Sequence, residues 1–208
     1  MPRPVVLLLL VIGVKFLLAG SVWAQPTVKS TPLHRFFQQH YDSTIIYHSG
    51  SSWNNSPNYL ILAKHQNQVD FFTYTSPYRG TKGKYYPGQL TRKFAQEDQA
   101  FRTMVPDTNR YLLPQPVRPI TLQQAWRQLD PGLLWQVKDD RETGNNAGTC
   151  VVEDADDNVF YLINRRTIRI ASFYAPDFRQ QCLGLDAGRQ RALDARKVLR
   201  TLPATRPE

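Results

Sequence analysis

Five short apolar runs, each of strand length and separated by polar joints, limit what this chain can build. Thr44 to His48, Tyr59 to Ala63 and Val69 to Tyr74 lie in the first half. Val159 to Ile163 and Thr167 to Phe173 lie in the second. The joints Lys64–Gln68 and Asn164–Arg166 are short enough for hairpins, so antiparallel pairing follows. Val159 to Ile163 is apolar at successive positions, which predicts burial on both faces and an interior place in the sheet.

Helical patterns bracket these runs. Thr31 followed by Pro32 has the form of an N-cap and first helical residue, with Leu33, Phe36, Phe37 and Tyr41 at helical spacing. Thr121 and Gln124 have capping-box spacing before Leu122, Ala125, Trp126 and Leu129, and Asp130-Pro131-Gly132 stops that helix. Asp186 caps a last helix with Ala192, Ala195, Val198, Leu199 and Leu202 inward and Arg189, Arg196, Lys197 and Arg200 mostly outward. A further weak helical pattern covers Leu90 to Met104. Leu133 to Val137 and Thr149 to Glu153 read as strands, the latter opening a three-strand meander, and 106–119 reads as an extended connector. The expected class is α+β: an antiparallel sheet, a meander in its C-terminal half, three to four helices and one disulfide.

The amino terminus has a different composition. Arg3 precedes an apolar run from Val5 to Val14, then Phe16-Leu17-Leu18, and Val22-Trp23-Ala24 ends it on residues a signal peptidase accepts. The continuous run is about half the roughly 20 residues of a membrane span, and Lys15 interrupts it. The expectation is a signal peptide over 1–24, cut between Ala24 and Gln25, a single domain over 25–202 and a frayed tail at 203–208. The mature protein is then secreted or periplasmic rather than integral to the membrane. In an oxidising compartment the two cysteines, Cys150 and Cys182, predict one disulfide.

Charge shapes the functional expectation. The chain carries a formal +9, and without Arg3 and Lys15 it retains +7. The span Phe71–Gln96 holds no acidic residue after the one preceding it, Asp70. It mixes Arg79, Lys82, Lys84, Arg92 and Lys93 with Tyr74, Tyr78, Tyr85 and Tyr86. Cations attract anionic groups and tyrosine faces stack on rings, so Arg79, Lys82, Lys84, Tyr85 and Tyr86 are the candidate contacts for an anionic polymer, glycan or envelope component. Gly80-Thr81-Lys82-Gly83-Lys84 lacks the spacing of a phosphate-cradling loop. Asp154, Asp156 and Asn158 begin like a calcium loop, but Val159 and Arg165 stand where glycine and glutamate are needed, so a polar hairpin turn is the better reading. His34, His40, His48 and His65 show no zinc spacing. No metal, cofactor or nucleic-acid motif is therefore expected. A non-enzymatic binding module leads. The alternatives are a secreted hydrolase pairing His48 or His65 with Asp70, and a structural or inhibitory partner protein with a contiguous apolar patch.

Overall fold

The structure, a computed structural model, describes residues 30–51, 58–75, 111–142 and 150–204, with 92, 93, 95, 96 and 99 as isolated helical positions. The expected leader, the 203–208 tail beyond 204 and most of Leu90–Met104 lie outside the described residues.

Six antiparallel strands form one sheet in the order β4-β3-β2-β1-β5-β6. They are β1 (Ser43–Gly50), β2 (Asn58–His65), β3 (Gln68–Thr75), β4 (Leu112–Pro114), β5 (Asp157–Asn164) and β6 (Ile168–Tyr174). Register follows from the alternation of side chains: Ile45, Leu62 and Phe71 meet on one face, while Ile46, Ile61 and Phe72 meet on the other. β5 lies between β1 and β6, as its two-sided apolar run requires. The class is α+β, with four helices of eight residues or more among the described residues.

Helix α1 (Pro32–His40) covers part of one sheet face, burying Leu33 and Phe37 against Ile46, Ile61, Ala63 and Ile163. The opposite face takes α2 (Pro119–Leu129) and α5 (Ala187–Thr201), which share one core with the sheet. Leu122, Ala125, Trp126 and Leu129 on α2 meet Ala192, Ala195 and Leu199 on α5 there. A single helical turn, α3 (Pro131–Leu134), follows α2, and α4 (Pro176–Leu183) precedes α5. No described helix is long and apolar enough to cross a membrane.

Two caps form as expected. Thr31 Oγ1 accepts from the His34 N–H, and Asp186 accepts from the Arg189 N–H. Four sequence expectations need correction. The Thr121–Gln124 capping box does not form, because Pro119 occupies the first helical position two residues earlier and Arg118 is the cap. Leu133 to Val137 is not a strand: Pro131 and the Asp130 carboxylate, which accepts from the Leu133 N–H, turn the chain into α3. Residues 150–153 are irregular, so the C-terminal half is a two-strand hairpin rather than a three-strand meander. Both sides of β5 are already taken by β1 and β6, leaving a third strand no edge there. Asp154–Asn158 therefore leads into β5 instead of joining two strands. The stretch from Pro176, for which the sequence offered no cap or apolar spacing, is the helix α4.

The expected disulfide is present: Cys150 and Cys182 are bonded with their Cα atoms 6.1 Å apart, inside the usual range. It ties the irregular stretch before β5 to the end of α4. Elsewhere the first turn of α5 presses on the chain before it. A Cβ at Gly188 would lie 2.7 Å from the Lys138 carbonyl oxygen. Alanine gains at most about 1 kcal/mol of helix propensity over glycine, while overpacking against an atom that cannot rotate aside costs about 1–3 kcal/mol. Gly188→Ala should thus lower the denaturation midpoint with an unchanged slope; an unchanged or higher midpoint would show that the two segments separate freely.

Candidate functional site

The residues singled out for ligand contact, Arg79, Lys82, Lys84, Tyr85 and Tyr86, lie outside the described residues. What is fixed is where their segment begins and ends. It leaves after β3 and returns at Tyr111, and Tyr74 pairs with Leu112 across the β3–β4 ladder. The two ends of the segment are therefore neighbours at one end of the sheet.

The proposed acid–base pairs fare differently. His48 lies opposite Tyr59, and Tyr59 opposite Tyr74, so Asp70 stands two strands across and four residues along on the same face. Strand geometry puts these Cα atoms about 16 Å apart, beyond hydrogen-bond reach. His65 is a diagonal neighbour of Asp70, but its close carboxylate is Asp42, with Nδ1 at 3.8 Å from Oδ2. The Gln66 N–H and then the Arg165 guanidinium hold Asp42 below the usual carboxylate range. Asp70 accepts from Gln68 Nε2 at 2.8 Å and Tyr41 Oη at 3.4 Å.

His34 and His40, six residues apart, lie on different sides of α1: His34 is buried and His40 exposed. Its Nδ1 accepts from the Thr31 N–H, closing a capping box in which histidine plays the part of glutamate or glutamine. Nδ1 is therefore unprotonated. Nε2 is buried with no hydrogen-bond partner, and the ring lies 4.6 Å from that of Tyr161. Burial lowers this histidine from 6.5 to about 4.

The acidic stretch that begins at Asp139 docks the chain rather than forming a charged cleft. The Asp139 carboxylate is fully buried and accepts from the N–H groups of Arg141, Glu142 and Ser172 and from the Arg141 guanidinium. Burial pushes this carboxyl up, but Arg141 and then the Ser172 N–H outweigh it, and the group sits below its ordinary value. Asp140 pairs with Arg179 at 3.0 Å and accepts from the Tyr174 N–H. Arg169, inward-facing on β6, donates to the carbonyls of Trp135 and Val137 and to Glu142. These groups spend their hydrogen bonds on the fold. The basic face of α5 does so in part, since Arg196 pairs with Asp177 on α4 and Arg200 donates to Tyr47 Oη.

A groove remains beside the outer edge of β3. It encloses about 720 Å³ and is lined by Asn67–Phe72 on one side and by Pro114–Val117, Pro119, Leu122 and Gln123 on the other. It exists because β4 is only three residues long. The Gln115 N–H donates to the Phe71 carbonyl at 2.8 Å; Pro116 and Pro119 then carry the chain off the edge into α2. Gln123 Nε2 bonds the Asn67 carbonyl at the far end. Among the described residues Asp70 is the one ionisable side chain in the lining. Family models, curated proteins and solved structures yield no match to this chain.

This arrangement can recognise a ligand; its amides, apolar walls and single carboxylate supply no nucleophile with an adjacent base. Sequence reasoning passed over it because a connector with prolines at 114, 116 and 119 reads as a loop. The usable signal was the position of those prolines: beside a sheet, proline is confined to edges.

Proposed function

We propose that this protein is an exported, disulfide-stapled binding module whose basic, tyrosine-containing segment, residues 79–93, contacts an anionic polymer or glycan. The observation that carries the reading is the anchoring of that segment, whose two ends are held side by side by the Tyr74–Leu112 pairing. A segment so rooted is presented from a rigid sheet, the usual placement of binding residues. Charge supports it. Asp42, Asp139, Asp140, Glu142, Asp177 and Asp186 are all engaged by arginines within the fold, while the mature chain keeps its cationic excess. The Cys150–Cys182 bond supports an oxidising destination, secreted or periplasmic.

Chromatography on heparin resin tests this directly. Retention should fall steeply with salt, and alanine at Arg79, Lys82, Lys84, Tyr85 and Tyr86 together should make the logarithmic salt dependence roughly two to three units shallower, about 0.7–0.9 for each of the three lost cations. Unchanged elution of the five-alanine variant would remove the segment from the interface. Intact mass of protein recovered from its native host tests export, with Gln25 as the expected first residue.

A partner-protein role is the second reading, favoured by apolar residues around the cystine. Val151 and Leu185 are 73% and 90% exposed, and Phe178 and Leu183 on α4 are also exposed beside Cys182.

A further inference from the structure

We propose that the open edge of β3 is a docking site for an extended peptide segment carrying a cationic side chain beside Asp70. The direction of the peptide groups follows from the ladder. The tight turn at Gln66–Asn67 closes on the His65–Gln68 pair, and residues alternate from there. Gln68, Asp70 and Phe72 direct their N–H and C=O groups to β2. Val69, Phe71 and Thr73 direct theirs outward, as the Gln115 bond to the Phe71 carbonyl and the Thr73–Leu113 pairing show. β4 serves Thr73, and Gln115 serves the Phe71 carbonyl. No described strand pairs with Val69 on the side away from β2. Its outward N–H and C=O face the groove as a donor and an acceptor at strand spacing, the requirement for adding a strand.

The side-chain environment selects the occupant. A residue opposite Val69 places its side chain on the same face as Val69, toward Val117 and Leu122, so that position favours a small apolar group. Its two neighbours fall on the other face, with Gln68 and Asp70. Asp70 is half-buried, and Tyr41 donates its phenolic hydrogen to Oδ2. Burial and then Asp70 push that phenol up to about 12, so it stays a donor. A carboxylate with no other charge among the described lining residues complements a cation and repels an acid. The occupant is thus an alternating cationic–apolar strand about three residues long. The argument for this site uses no residue of the basic segment and stands or falls without it.

The test uses the mature chain and fluorescein-labelled pentapeptides. Ser-Arg-Val-Arg-Ser amide should bind at least about tenfold more tightly than Ser-Glu-Val-Glu-Ser amide, since one charge pair is worth on the order of that factor. Proline in place of its central valine removes the donor to Val69 and should abolish binding. Asp70→Asn should bring the Arg and Glu peptides within about twofold of each other. Val69→Pro removes the outward N–H and, although it also replaces a buried valine, breaks no bond to β2; it should lose both peptides. Amide exchange supplies a readout independent of affinity: the Val69 N–H should exchange faster than those of Asp70 and Phe72, and should slow when the arginine peptide is added. The five-alanine variant of the basic segment should bind these peptides unchanged. Equal affinity for the Arg and Glu peptides, no binding of either at millimolar concentration, or undiminished binding to Asp70→Asn would overturn the proposal.

Discussion

Replacing His34 with glutamine should flatten the loss of stability that the parent chain shows between pH 6.5 and pH 4. The imidazole is buried, and its value falls from 6.5 to about 4 in the folded protein. Between those limits the unfolded chain binds the proton and the folded chain does not, so stability rises with pH across that window. The contribution is complete above pH 6.5 and is lost as pH falls to 4. A shift of this size corresponds to about 3 kcal/mol. Protonation also takes the lone pair on Nδ1 that accepts from Thr31, so acid removes the cap at the same time. Glutamine is chosen because it is an ordinary capping-box residue and keeps an acceptor there without titrating. Urea denaturation at pH 7 and pH 4.5 measures it: the parent should lose most of the difference and His34→Gln little of it. Parallel losses in both would place the acid sensitivity elsewhere.

The second large effect is covalent. Cys150→Ser with Cys182→Ser should lower stability by roughly 3.5–4 kcal/mol, the chain-entropy value for a loop of that length. The bond closes a separation of 32 residues. The loss falls on global unfolding; within the native state the β5–β6 hairpin keeps its own ladder, so added local opening should appear at residues 150–153 and α4. Amide exchange would locate it. Reduction without loss of stability would mean the unfolded chain is already restrained by other contacts.

The parts of the fold that were legible are those decided by neighbours in sequence. Thr31-Pro32 and Asp186 announce helices because a cap needs only a side chain and the next turn. β1, β2, β3, β5 and β6 were visible as apolar runs. The misplaced elements are those that tertiary partners decide. Residues 150–153 have strand composition, but β5 has no side left to offer them. Leu133–Val137 is apolar enough for a strand, yet Arg169 gathers its carbonyls from a position 32 or more residues later. The binding groove was illegible for a related reason. Its recognition groups are peptide N–H and C=O on a sheet edge, which every sequence carries equally, and only the early end of β4 leaves them open. The His48–Asp70 pairing failed because facing the same side of a sheet says nothing about distance along it.

The position of β1 has a consequence for how the molecule comes into being. It bonds on one side to β2, a close neighbour in the chain, and on the other to β5, where Ser43 meets Asn164. The middle of the sheet therefore cannot close until residues 157–164 have been made. Such distant contacts slow assembly. Until β5 is available, β1 can pair on one side alone and the Phe160 and Leu162 positions of the core stay empty.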